Sequence, residues 1–120
     1  MPDIPQEPLV RLVRLDQLPL DQGVFIECGG KELAVFRVSD PAGVYVIDNA
    51  CPHASGNLAA GDLLKGGVVR CPWHAWKFRL CDGRSADGSV ARVRSYAVEI
   101  RGDDVYVNLI PRMDFSFPQE

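Results

Sequence analysis

The sequence has little of what would tie it to a charged polymer or a bilayer. Thirteen lysines and arginines against sixteen aspartates and glutamates leave a formal charge of -3. With no basic excess to neutralise phosphates, nucleic acid and anionic membrane are not expected as partners. No apolar run is long enough to span a bilayer, and the opening MPDIPQEPLVRLVRLDQLPL carries acids and prolines where a signal peptide needs a basic start and an unbroken apolar segment. A soluble, cytoplasmic protein is expected. G-x-G-x-x-G is missing, and with it the cradle of a nicotinamide or flavin nucleotide. Sustained helical periodicity, internal repeats and low-complexity segments are missing too. Histidine is scarce, with two residues, and cysteine numbers four. In a reducing compartment four cysteines argue against a disulfide framework and for metal binding, redox chemistry or inert burial.

What is present is the rhythm of short strands. At 120 residues and 47% hydrophobic content the chain is long enough for one domain and too short for two. Residues 1–120 are therefore read as a single domain, with a core from about 9 to 110 and a tail over 111–120. VFIEC and KELAVFRV flank Gly29-Gly30, a hairpin signal, and GVYVI follows the turn SDPAG. AWKFRL runs into Asp82-Gly83, and SYAVEI leads through RGDD into VYVNLI with alternating side chains. The class is all-β. Two stretches break the rhythm and read as loops by composition: Asn49 to Gly67, NACPHASGNLAAGDLLKGG, and CPWH from Cys71.

Each of these loops offers one thiol and one imidazole. Cys51-x-His53 is followed after seventeen residues by Cys71-x-x-His74. Cys-Pro opens both pairs, and the fixed backbone angle of proline bends the chain so that the second ligand can point back toward the first. In a β framework two such loops at adjacent strand ends can meet and surround a metal.

The pattern C-x-H, spacer, C-x-x-H resembles the Rieske family, from about Leu9 to Leu109, and Asn49-Ala50-Cys51 and the strand order fit as well. The resemblance implies an antiparallel β-sandwich with two cluster-binding loops and one [2Fe–2S] cluster per chain. By it, Cys51 and Cys71 hold one iron, and His53 and His74 hold the outer one. Both histidines of the chain are then spent, so none remains for a mononuclear iron site. Replacing two thiolates by neutral imidazoles makes an added electron less costly. Such centres span roughly -150 to +300 mV, against about -400 mV for plant-type clusters. The quinol-oxidising branch of the family adds a cysteine to each loop and places serine and tyrosine hydroxyls beside the cluster. Here Gly56 and Trp73 stand for the cysteines, and Trp76 and Phe78 for the hydroxyls. A low potential within the range is expected. Two further departures are Ala75, where glycine is usual after the second histidine, and the absence of proline from the third loop, GRSADGSVARVRSY.

The function implied is that of a stand-alone ferredoxin. It would carry one electron from a flavin-dependent ferredoxin reductase to a terminal oxidoreductase such as a ring-hydroxylating dioxygenase, and would not itself be an enzyme. Two alternatives stay open: the small Rieske subunit of an assimilatory nitrite reductase, and a zinc-stabilised interaction module, since zinc takes the same ligand types. Cys28 shares a strand face with Val24 and Ile26 and reads as a small buried hydrophobe. Cys81 shares a face with Lys77 and Arg79 and leans to solvent. Trp76 and Phe78 alternate onto one face and read as core. Electrons are expected to pass at the histidine end, where Pro52, Ala54, Leu58, Pro72 and Trp73 form an apolar docking face, while Lys31 in the first hairpin is read as lying away from it. The two phenylalanines of the tail read as packing on the protein's own sheet.

Overall fold

A computed structural model describes residues 9–39, 42–49, 57–72, 76–86 and 92–110. Among these, ten strands form three sheets, and every strand pair is antiparallel. The first sheet joins β1 (Leu9–Arg14), β10 (Asp104–Asn108) and β9 (Val98–Arg101), in that order. The second runs β2 (Gln22–Cys28), β3 (Lys31–Ser39), β4 (Ala42–Asp48), β8 (Ser95–Tyr96). The third is small: β5 (Asp62–Leu64), β6 (Val68–Arg70), β7 (Lys77–Arg79). No helix among the described residues is long and apolar enough to cross a membrane.

Strand β3 shows why the sheets layer as they do. Its centre, Leu33-Ala34-Val35-Phe36, is apolar without alternation and is wholly buried. A strand of that kind has protein on both faces. Ala34, Phe36 and Val38 enter one apolar cluster with Ile47, Leu58, Val69, Cys71, Phe78 and Leu80. Leu33 and Val35 enter a second cluster with Leu18, Val44, Val46, Val105 and Val107. The second sheet is thus the middle layer, with the core that includes Cys71 on one face and a separate core against β1 and β10 on the other. Each large side chain buried in this way contributes about 1.5 to 3 kcal/mol.

The expected hairpins form where the sequence places them. Cys28 pairs with Lys31 around Gly29 and Gly30, both at positive φ (59° and 80°), and Asp104 pairs with Arg101. Cys28 packs half-buried against the second cluster with Val24 and Ile26, and Cys81 is exposed. One reading is corrected. The stretch from Asn49 to Gly67 is not loop throughout: it contains a short 3-10 helix, Leu58–Ala60, and strand β5. Gly66 and Gly67, at φ 81° and 76°, turn the chain so that Asp62, Leu63 and Leu64 pair with Arg70, Val69 and Val68. The turn SDPAG, the Ala75 backbone and the tail lie wholly or partly outside the described residues.

Candidate metal centre

The second ligand loop is the end of a hairpin. Val69 pairs with Phe78 and Arg70 with Lys77, and the mouth is closed by the Cys71 N–H donating to the Trp76 carbonyl at 2.7 Å. Cys71 is 1% exposed and shares its apolar cluster with Phe78, Leu58 and Val69. Pro72 is exposed. Trp76 packs at a tilt on Phe78, with ring centroids 6.5 Å apart. Among the described residues the buried neighbours of this thiol are therefore apolar, and the two side chains at the expected hydroxyl positions, Trp76 and Phe78, offer no hydroxyl.

The first loop leaves β4 at Asn49 and rejoins the described chain at Asn57. Asn49 is 7% exposed. Its N–H donates to the Glu32 carbonyl (3.0 Å), its carbonyl accepts from Leu58 N–H (2.9 Å), and its Oδ1 accepts from Ala59 N–H (2.9 Å). After the 3-10 helix the chain passes Gly61, where an added Cβ would fall on the Arg70 carbonyl oxygen. The far flank of the first loop is thereby pressed against the residue that precedes Cys71. Asp62 also pairs in register with Arg70 and bridges its guanidinium at 2.6 Å, an exposed ion pair that adds little.

A third segment rises beside them. Ser85 bridges Phe78, Ala86 N–H donates to the Lys77 carbonyl (2.8 Å), and Arg84 bridges Arg92. Gly83, at φ 76°, lets Val93 N–H reach its carbonyl (2.8 Å). The returning limb is tied to the start of the first loop. Asp48 N–H donates to the Arg94 carbonyl (3.0 Å), and the buried Tyr96 hydroxyl donates to Asp48 Oδ1 at 2.5 Å. Burial first, and that carboxylate second, push the Tyr96 phenol well above its usual pKa, so it stays a donor.

Of the four ligand candidates the structure places Cys71. Cys51, His53 and His74 lie outside the described residues, as do Gly56 and Trp73. The flanks of the loops that carry them, Asn49, Leu58 and Gly61 on one side and Arg70, Cys71 and Trp76 on the other, come to the same end of the molecule. No cluster of three or more histidine, cysteine or acidic side chains suited to a metal occurs among the described residues. Cys28 belongs to the opposite core, and Cys81 lies on an exposed turn with Arg79 Nη2 at 4.0 Å. A thiol buried among apolar neighbours at a closed loop mouth, with His74 three residues on in the same loop and Cys51 and His53 in the other by sequence, is a donor set that fits an iron–sulfur centre.

One expectation about the surroundings is overturned. Leu58 is fully buried, because the 3-10 helix turns it beneath the first loop into the core with Cys71; it belongs to no docking face. Lys31 starts the strand whose Glu32 carbonyl holds Asn49, and its ammonium lies 5.5 Å over the Tyr96 ring; its distance from Pro52, Ala54 and Trp73 lies outside the described residues. The sequence marks Asn49 only as the second of two polar residues, Asp48 and Asn49, that follow the apolar run of β4, and as part of the Asn49-Ala50-Cys51 approach.

A family model described as Rieske [2Fe-2S] domain matches residues 9–97. The ferredoxin component of a naphthalene 1,2-dioxygenase system from Pseudomonas aeruginosa is 31% identical over 104 residues, 86% of this chain and 97% of that one. The large subunit of a nitrite reductase from Klebsiella oxytoca is 33% identical over 110 residues, 88% of this chain but 11% of that protein. A cholesterol 7-desaturase from Xenopus laevis is 42% identical over 72 residues, 58% of this chain and 16% of that protein. Among solved structures, the ferredoxin of carbazole 1,9a-dioxygenase from Nocardioides aromaticivorans IC177 superposes with a TM-score of 0.74 at 33% identity, covering 82% of this chain and 95% of that one. With the loop architecture, this match places the chain in the Rieske family of iron–sulfur proteins.

Proposed function

We propose that this chain is a Rieske-type ferredoxin in which Cys51, His53, Cys71 and His74 hold one [2Fe–2S] cluster. It carries electrons singly from a flavin-dependent reductase to a terminal oxygenase or reductase. The observation that carries this reading is coverage in both directions: the match takes in most of this chain and nearly all of the dioxygenase-system ferredoxin. When bound, such a cluster accepts and releases one electron. The protein's own part is to bury the Cys71 thiol in carbon, to hold the two loops at one end, and to offer no hydroxyl donor from Trp76 or Phe78. The test is iron and acid-labile sulfide content, expected at two of each per chain, with reversible bleaching on reduction. One equivalent of zinc and no visible absorbance would sink the proposal and favour the interaction module.

The lack of hydroxyl donors beside Cys71 sets the expected potential low. Phe78→Tyr is expected to raise the midpoint by tens of millivolts, because a phenol in this carbon-lined site donates to sulfur and favours the reduced state. Redox titration of both proteins measures it; a wild-type midpoint well above zero contradicts the missing-donor argument.

Electrons pass at the histidine end. Trp73→Glu is expected to leave spectrum and midpoint nearly unchanged while slowing reduction by the reductase, since it sets a charge in an apolar contact. The control is Lys65→Glu, in the β5–β6 turn at the other end of the strand that leads to Cys71. Stopped-flow reduction at fixed ionic strength compares them, and a slower Lys65→Glu with an unaffected Trp73→Glu would move the docking face elsewhere.

The match to a nitrite reductase large subunit favours a second reading, that of a Rieske component of such an enzyme. A stable complex with a large reductase subunit on gel filtration would select it over the shuttle.

A further inference from the structure

We infer that Asn49 is the positioning residue of the first ligand loop, an inference that rests on the assignment of Cys51 and His53 to the cluster. The two loops are closed by different means. The mouth of the second needs only the backbone bond from Cys71 to Trp76, because β6 and β7 are already paired up to it. The first has no such hairpin: it leaves the middle sheet at β4 and returns through a 3-10 helix that belongs to no sheet. Asn49 supplies the missing closure. Its backbone is fixed to β3 through Glu32, and its carbonyl and Oδ1 take the N–H groups of Leu58 and Ala59, the first two residues of the returning helix.

Those two N–H groups are the orphan donors of a helix start, and both residues are buried, so water does not substitute for Asn49. The side chain must reach across the loop, accept a hydrogen bond and remain buried. An aliphatic residue fails the second requirement and leaves the Ala59 N–H without its partner. Lengthening a loop costs less than losing such a buried acceptor, so the clamp decides whether the loop stays shut. Groups that orient metal ligands without touching the metal typically change metal retention by about ten- to hundred-fold when removed.

The experiment starts from the wild-type holoprotein, whose iron and sulfide content first decides the ligand assignment itself. Iron release to a chelator is then timed for Asn49→Ala, Asn49→Asp and Tyr96→Phe, below the melting temperature of each, with electron paramagnetic resonance of the reduced forms. Tyr96→Phe is the structural control, because it removes a buried hydrogen bond on the neighbouring Asp48 without touching the returning helix. Asn49→Ala is expected to release iron about ten- to hundred-fold faster than wild type and to shift the resonance line shape. Tyr96→Phe should stay within a few-fold with an unchanged line shape. Asn49→Asp, which keeps an oxygen acceptor at the same place, should also stay within a few-fold. Amide exchange at Leu58 and Ala59 in metal-free protein should speed up in Asn49→Ala alone. Release from Asn49→Ala no faster than from Tyr96→Phe, or from Asn49→Asp as fast as from Asn49→Ala, would overturn the inference.

Discussion

Replacing Cys71 with serine is expected to abolish bound iron and to lower the melting temperature together. Serine keeps the size of cysteine but exchanges a soft thiolate for a hydroxyl, which holds iron poorly. It also sets that hydroxyl at a site 1% exposed and lined by Leu58, Val69 and Phe78. An unpaired buried hydroxyl costs about 1 to 3 kcal/mol, and loss of the metal removes what binding contributes to folding. The matched control is Cys81→Ser. That thiol is exposed, so iron content, visible spectrum and melting temperature should match wild type within the small range of surface substitutions. Metal analysis and thermal melts of both variants decide the matter; iron retained by Cys71→Ser would remove the one described ligand from the proposed site.

The second large effect is expected at Gly61, for lack of space. Its backbone sits at φ -75°, ψ 172°, a conformation open to any residue, so alanine there meets no dihedral penalty. The obstacle is contact: a Cβ would fall on the Arg70 carbonyl oxygen and crowd the Leu58 oxygen and Val69 Cγ2, both at 3.1 Å. The clash is with backbone, which cannot rotate away, and overpacking of this kind costs about 1 to 3 kcal/mol. Gly61→Ala should lower the melting temperature by about 5 to 15 °C and quicken iron loss, because it pries the returning flank of the first loop from the residue before Cys71. Gly66→Ala inverts the situation, with φ at 81° and open space around it, and should cost only the conformational penalty of about 1 kcal/mol. A Gly61→Ala protein that melts with wild type would mean the two loop bases do not meet as described.

The parts of the fold legible in the sequence are those where local pattern and tertiary outcome agree. Strands β2, β3 and β4 and the β9–β10 hairpin carry β-branched runs with glycine turns, and each forms where those signals lie. The failure falls in NLAAGDLLKGG, whose glycines and alanines read as loop. Asp62–Leu64 within it pair with Val68–Arg70, and Leu58 packs in one core with Phe36 and Ile47, partners that local composition does not reveal. Leu58 illustrates the same limit: in a polar loop an apolar residue reads as surface, and only the 3-10 turn sends it inward. The ligand candidates stood out in the sequence because two Cys-Pro openings and the only histidines coincide. The clamp at Asn49 did not, since its partners are backbone groups nine, ten and seventeen residues away.

The division of β3 between two cores also orders events in time. The core around Cys71 draws its side chains from residues 34 to 93, whereas the other core waits for Val105 and Val107 and for β10 to pair with β1, Leu9 against Asn108. That closure joins nearly the two ends of the described chain, the slowest kind of contact to form. Among the described residues the core that holds Cys71 uses nothing beyond Val93, so its contacts can form on their half of the middle sheet before β10 pairs. A chain cut short of β10 is then expected to keep the apolar packing around Cys71 and to lose that of Val105 and Val107.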